Sequence, residues 1–263
     1  MSVLIAIAVY STIENKKDEC LRKTLEGLRN TVDFSRHDLG LSINGHTEET
    51  GKIINEYHDI IDLIVWNREN LGTAEAINQI WKDRKPGQHC IKMDDDILIH
   101  EAGWVDKLVE VVTLDPTIGQ AGLKRKDCIE TPWHPDEYYR SELKMLPHTP
   151  GHPWVIVEQA SHVMGSCVLH SADLLKKVGY LCQPRQYGWD DVLMSARSIG
   201  AGFKNVFLPQ INIDHIDHGQ TPYQGWKERV AMQDLHNINT MIYEYKNGIR
   251  NVFYNPFEAT VTT

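Results

Sequence analysis

The first hundred residues alternate between short apolar runs and longer segments with helical spacing, and this alternation limits the possible folds more than any other feature of the chain. The runs Val3–Val9, Leu39–Ile43, Ile60–Trp66 and His89–Met93 read as strands. Between them, stretches near 16–30, 48–57 and 73–83 carry apolar residues at helical intervals and predict helices. The order β, α, β, α, β, α, β builds βαβ units, and so a parallel sheet with flanking helices. Ligands of such sheets lie beyond the carboxyl ends of the strands. The residues at those ends are predicted to converge on one crevice: Tyr10, Ser11 and Thr12, then Asn44 and Gly45, then Asn67 and Arg68, and last Asp94, Asp95 and Asp96.

From about Cys128 to Gln159 the pattern changes. Pro132, Pro135, Pro147, Pro150 and Pro153 alternate with Trp133, His134, Tyr138, Tyr139, His148, His152 and Trp154. The prolines deny this stretch long regular elements, so an irregular excursion is expected, either a functional loop or a surface insertion without a role. Regular patterning returns with a strand over Ser161–His170 and helices over Ser171–Val178 and Asp190–Ile199. Apolar runs at Phe203–Leu208 and Ile211–Ile213 follow, then one helical pattern from about Gln224 to Tyr245. One α/β domain is expected over 1–263. It comprises a nucleotide-binding half at 1–100, an acceptor and catalytic half at 101–222 with the insertion at about 128–160, and a C-terminal helix and tail at 223–263.

With 41% hydrophobic and 24% charged residues the chain has ample apolar surface for a sizeable core. Its net charge of -9 lacks the basic footprint by which nucleic acids are held, which speaks against a nucleic-acid acceptor. Val3–Val9 has no basic segment before it and is far shorter than the roughly 20 residues a bilayer needs, so no membrane span is expected. Five scattered cysteines (Cys20, Cys90, Cys128, Cys167 and Cys182) form no CxxC pair. Neither a zinc site nor a disulfide framework is indicated, and a reducing cytoplasm fits best.

The chemistry concentrates in three places. Asp94, Asp95 and Asp96 interrupt an otherwise apolar strand, between Met93 and Ile97. Clustered carboxylates near a core repel one another unless a cation neutralises them, and magnesium or manganese shared with substrate phosphates would do so. Two plainer explanations are a solvated acidic loop and ion pairing with Lys92 and Lys124. Asp190 and Asp191 follow Gly188-Trp189 at a predicted helix start, where Asp190 could be an N-cap. One cap suffices for a helix, so Asp191 is the better candidate for abstracting a proton from an acceptor hydroxyl. The segment Asn212–Gln220 places His215 and His218 with Asp214 and Asp217 after an apolar strand. Imidazole suits manganese-like ions, although a hydrogen-bonded surface histidine is the commoner case.

Asn70-Leu71-Gly72 with Ala76 and Asn78, the aspartates at 94 to 96, the run Gly165–Gly179, and Gly188-Trp189-Asp190-Asp191 followed by Arg197 together resemble the inverting glycosyltransferases of the GT-A fold, in their family-2-like branch. The order and spacing match from about residue 3 to 218. The resemblance implies a Rossmann-like α/β fold with a mainly parallel central sheet, and a nucleotide-diphosphate sugar at the carboxyl edge of the first four strands. It implies donor contacts at Val9, Tyr10, Asn44, Arg68 and Asn70, with Gly72, Asp94 and Asp95 beside them, Asp94 on the ribose side. It further implies Asp96 and His215 as ligands of Mn2+ or Mg2+, and Asp191 as the base. Two positions depart from the pattern. Asn44 stands where an aspartate commonly contacts the nucleobase, which leaves the nucleotide preference open, and Asp190 replaces the usual glutamate of the acidic pair, so Asp190 is a second candidate for the base beside Asp191.

The expected function is therefore transfer of a sugar from a nucleotide-diphosphate donor, a UDP-sugar by preference, to an acceptor hydroxyl with inversion. Trp133, Trp154 and Trp189 are candidates for an acceptor platform, since aromatic faces stack on sugars, unless these rings belong to the core. The acceptor is left open among a glycan, a protein, a metabolite and a modified nucleobase. Two competing functions are a nucleotidyltransferase that makes nucleotide-sugars and a carbohydrate-binding protein without turnover. The first resembles enzymes with a glycine-rich basic loop after the first strand, and Tyr10–Lys17 contains no glycine.

Overall fold

The computed structural model of the chain describes residues 1–127, 141–147, 154–217, 222–233 and 235–258. The alternation read from the sequence appears as β1 (Val3–Tyr10), α1 (Asp18–Thr31), β2 (Asp38–Gly45), α2 (Glu48–Glu56), β3 (Leu63–Trp66), α3 (Thr73–Trp81) and β4 (His89–Met93). α2 starts where Thr47 accepts from the backbone of Glu49 and Thr50 in a capping box. β3 is shorter than predicted because a 3-10 turn at His58–Ile60 takes up the start of the apolar run. These four strands pair in parallel in the order β3-β2-β1-β4.

β1 shows why the sheet carries helices on both faces. Val3, Ile5, Ile7 and Val9 pack with Leu21, Leu25 and Leu28 of α1, and with Trp104 and Leu108 of α4 (Trp104–Leu114). Leu4 and Ala6 pack with Ile77, Ile80 and Trp81 of α3. Successive strand side chains point to opposite faces, so a strand that is apolar throughout must be covered twice. Burying each of the larger side chains contributes about 1.5–3 kcal/mol.

The chain continues through β5 (Ile97–Leu98), α4, β6 (Ile118–Arg125), β7 (Ser141–Met145), β8 (Ile156–Ala160), β9 (Cys167–His170), α5 (Ala172–Val178), α6 (Asp190–Gly200), β10 (Lys204–His215), α7 (Pro222–Met232) and α8 (Leu235–Lys246). The sheet extends past β4 in the order β9-β6-β10-β8-β7. β9 runs antiparallel to β4 and β6, and β10 runs parallel to β6. β1, β2, β3, β4, β6 and β10 therefore share one direction, and their carboxyl ends one edge. β5 pairs antiparallel with the end of β10.

Four expectations need correction. The stretch 161–170 is a strand only at Cys167–His170, because the chain turns through Gly165 beside the crevice. The proline-rich excursion holds the antiparallel pair β7 and β8, whose segments contain no proline. The two runs at 203–213 are one strand, β10, with a register shift between Phe207 and Asn212. The helical pattern at 224–245 is two helices, α7 and α8. Among the described residues no helix is long and apolar enough to cross a membrane.

Candidate active site

At the carboxyl edge of β1, β2 and β4 lies a cleft of about 250 Å³. Loops after β1, β3 and β4 and before β9 and α6 build it, together with the ends of neighbouring strands. After β1, Asn15 folds the chain back: its amide donates to Tyr10 O at 2.9 Å, and its Oδ1 accepts from Thr12 N at 2.9 Å and Lys17 N at 3.2 Å. After β4 the three aspartates diverge. Asp94 is only partly buried and receives Lys92 Nζ at 3.0 Å. Asp95 is buried and accepts from Tyr10 N at 3.3 Å, and its own carbonyl is held by Thr24 of α1 at 3.1 Å. Asp96 is 4% exposed and meets Lys17 Nζ at 2.6 Å, and its Oδ1 has no hydrogen-bond partner.

His215 reaches Asp96 because β10 overruns the sheet. The short pairing of β10 with β5 sets His215 opposite Ile97, and Ile216 N donates to Asp96 O at 2.9 Å. The imidazole Nε2 then stands 3.5 Å from Asp96 Oδ2. Burial works to raise the Asp96 carboxyl, but His215 and the Lys17 charge outweigh it and hold the group well below the usual range. Burial also raises Asp95, against the pull of Lys17 and with the push of Asp96, to about 6.

The opposite wall is the start of α6. Gly188 and Trp189 both take left-handed backbone angles, φ 87 and 70. For tryptophan that conformation is strained, and the indole secures it by donating Nε1 to Ala231 O at 2.6 Å. Trp189 is the N-cap and makes no side-chain cap bond, so Asp190 is not the cap that its position allowed. Asp190 lies 3.6 Å from Lys92 Nζ, and Asp191 accepts from Gly165 N at 2.9 Å with His162 at 3.4 Å. Burial raises Asp190 to about 6 although Lys92 opposes it. Burial also acts on Asp191, but His162, Lys92 and the Gly165 amide overcome it and keep the group ionised. Gly165 has to be small: a Cβ there would sit 2.8 Å from Lys92 Nζ and 3.0 Å from Asp191 Cβ.

Tyr10, Asn44, Asn70, Gly72, Asp94, Asp95, Asp96, Trp189, Asp190, Asp191 and His215 all line the cleft. Three residues expected there do not. Val9 is fully buried in the core, its side chain turned from the strand end by the alternation of β1, and Arg68 and Trp154 are exposed outside the cleft. Trp133 and His218 lie outside the described residues. Asn44 spends its polar groups on the loop after β3: its Oδ1 accepts from Asn67 at 2.9 Å, and its amide donates to Gly72 O at 3.0 Å. Lys124, one of the two lysines considered for the acid run, pairs instead with Glu158 at 2.5 Å. Arg197, part of the motif that carries the resemblance, is buried away from the cleft and binds backbone carbonyls.

Lys17, Lys92, His162, Tyr187, Trp226 and Lys227 contribute to the site or its neighbourhood without having been singled out as site residues in the sequence. Lys17 lies in a polar stretch between β1 and α1, 79 positions from Asp96, so only the fold brings the two together. Among the described residues no group of three or more His, Cys, Asp or Glu side chains is placed to hold a metal ion by itself. Asp96 and His215 nevertheless offer a carboxylate oxygen without a partner and an imidazole nitrogen. That donor set suits Mg2+ or Mn2+ completed by phosphate oxygens and water.

No family model matches the sequence, and no curated protein matches it. The architecture is the GT-A glycosyltransferase fold, a mixed α/β arrangement with a central, mostly parallel sheet and flanking helices, as comparison with solved structures shows. Among those structures is the mannosyltransferase PcManGT from Pyrobaculum calidifontis in complex with GDP-Man and Mn2+. It is 15% identical with a TM-score of 0.64, over 85% of this chain and 59% of that one. GalNAc-T7 with UDP, GalNAc and Mn2+ is 15% identical with a TM-score of 0.60, over 81% of this chain and 43% of that one. S. aureus TarS 1-349 in complex with UDP is 13% identical with a TM-score of 0.62, over 94% of this chain and 71% of that one. The chain thus matches less than two thirds of the length of the first two.

Proposed function

We propose that the chain is a metal-dependent glycosyltransferase that moves a sugar from a nucleotide diphosphate, a UDP-sugar by preference, to an acceptor hydroxyl with inversion. The observation that carries this is the pairing, across one cleft, of Asp96 with its unpartnered buried oxygen beside His215, and Asp191 held ionised on the facing wall. The bound structures of similar fold, with GDP-Man, UDP and Mn2+, support a nucleotide-sugar donor and a divalent ion.

In this proposal the donor lies along the ends of β1, β2 and β4, between Tyr10, Asn70 and the aspartates. Asp96 and His215 hold Mn2+ or Mg2+, which when bound supplies charge neutralisation on the departing diphosphate. Asp191 accepts the acceptor's proton. Its low basicity is sufficient, because a hydroxyl attacking an oxocarbenium-like carbon becomes acidic as the new bond forms. His162, Lys92 and the Gly165 amide orient that carboxylate, and Asp190 keeps Lys92 in place. Trp189 offers an aromatic face to the acceptor. The acceptor itself is a hydroxyl on a glycan, protein, metabolite or modified nucleobase. A cytoplasmic location belongs to the same proposal, supported by free thiols at Cys20, Cys90, Cys167 and Cys182.

A donor screen that detects released nucleoside diphosphate, with Mn2+ present, tests the proposal. Turnover should vanish in Asp96→Ala. In Asp191→Ala, transfer should fall by about 10²–10⁴-fold while donor binding persists. Normal transfer by Asp191→Ala removes that residue as the base, and the absence of turnover with every nucleotide-sugar removes the activity.

A further inference from the structure

Lys17 is a buried cation at a position where local rules do not favour one. It is the N-cap residue of α1, with no side-chain cap bond, at the helix end whose dipole favours negative charge. Asp18 and Glu19 in the first turn already meet that preference. The residue before it, Lys16, takes a left-handed φ of 53, which a branched or long side chain rarely adopts without compensation. The strained turn, fastened by Asn15, aims Lys17 inward: it is only 6% exposed. There Nζ stands 2.6 Å from Asp96 Oδ2, 2.9 Å from Asp217 Oδ2 and 3.7 Å from Asp95 Oδ1. The other Asp96 oxygen, buried on the same side chain, has no partner. One carboxylate is thus half satisfied by an ammonium and half open.

We propose that Lys17 is the resident counter-cation of this carboxylate pocket and makes divalent-metal binding depend on a nucleoside diphosphate. This rests on Asp96 being a metal ligand, as in the proposed function. An ion that binds Asp96 alone shares one buried carboxylate with a fixed ammonium, and like charges in a poorly solvated site repel. A diphosphate that arrives with the ion brings anionic oxygens for both cations and relieves the repulsion. The two ligands then bind cooperatively, and by linkage each tightens the other by the same factor.

The test is Mn2+ binding to the full chain, read from the electron paramagnetic resonance of free Mn2+, with and without UDP or GDP. The wild type should bind Mn2+ at least tenfold more tightly with nucleotide. Lys17→Met should bind nucleotide-free Mn2+ at least tenfold more tightly than wild type and lose most of the coupling, whereas Lys17→Arg keeps it. Circular dichroism melting confirms that each variant is folded. If folded Lys17→Met shows wild-type Mn2+ affinity and coupling, or weaker Mn2+ binding, Lys17 is a structural ion pair and the proposal fails. If wild type binds no Mn2+ with either nucleotide, Asp96 is not a metal ligand, and both proposals fall at that point.

Discussion

Asp190 and Asp191 are consecutive, yet their surroundings separate them: burial raises the first to about 6, while His162, Lys92 and the Gly165 amide hold the second ionised despite burial. The sign of the consequence follows from the raised value. Below pH 4 Asp190 is protonated in both the folded and unfolded chain. Between about 4 and 6 the unfolded chain ionises it first, so stability is lost as pH rises through that window. Asp190→Asn should therefore gain about 2–3 kcal/mol relative to wild type between pH 4 and 7, seen as a change in urea midpoints. A difference between the two proteins that stays constant with pH contradicts it. Gly165→Ala makes a complementary point, because its methyl would displace both Lys92 and Asp191. Overpacking there should cost about 1–3 kcal/mol of stability and lower transfer at least tenfold, measured by denaturation and by nucleotide release. The aspartates were legible in the sequence because acids that break an apolar strand are conspicuous. Of their cationic partners Lys92 was read beside the acid run and pairs with Asp94, whereas Lys17 and His162 carry no local pattern that marks them as inward-facing.

Arg197, further along α6 from the cleft, shows how a buried side chain holds the wall that carries Asp190 and Asp191. From α6 it donates Nε to Val252 O at 2.7 Å and Nη1 to Tyr180 O at 2.7 Å, and a third bond reaches Val178 O. Backbone bonds from Tyr180 N to Tyr254 O at 2.8 Å and from Tyr254 N to Val178 O at 2.9 Å stitch the same segments together. Arg197→Met would leave those buried carbonyls without donors, and a loss of about 3–5 kcal/mol is expected in guanidinium unfolding, with donor affinity little changed in protein that remains folded. Elements with a clean period were read close to their true bounds; β4 at His89–Met93 is one. Elements whose limits depend on tertiary contact were not. β10 tolerates Pro209 because the residue falls in the register shift between Phe207 and Asn212, where it makes no ladder pair, and the predicted 161–170 strand begins only after Gly165, where two charged side chains need the room. The break between α7 and α8 left no mark that hydrophobic spacing alone could show.

At the scale of the whole molecule the carboxylate-rich cleft leaves the free protein with repulsion that bound ligand should relieve. Mn2+ with the correct nucleoside diphosphate at 100 times its dissociation constant should stabilise the chain by about 2.7 kcal/mol, visible as a rise in Tm, and the shift should disappear in Asp96→Ala. A rise in Asp96→Ala equal to that of wild type would place the nucleotide elsewhere. β10 carries a different kind of consequence. Among the described residues it is the last strand in the sequence, yet it lies between β6 and β8, and it delivers His215 to Asp96. During synthesis the ribosome releases the parallel half first, while β6 and β8 wait for a neighbour that has not yet been made. A nascent chain stalled ahead of residue 204 should be open to protease along its unfinished edge, and incapable of capturing the ion, until the missing strand slots in.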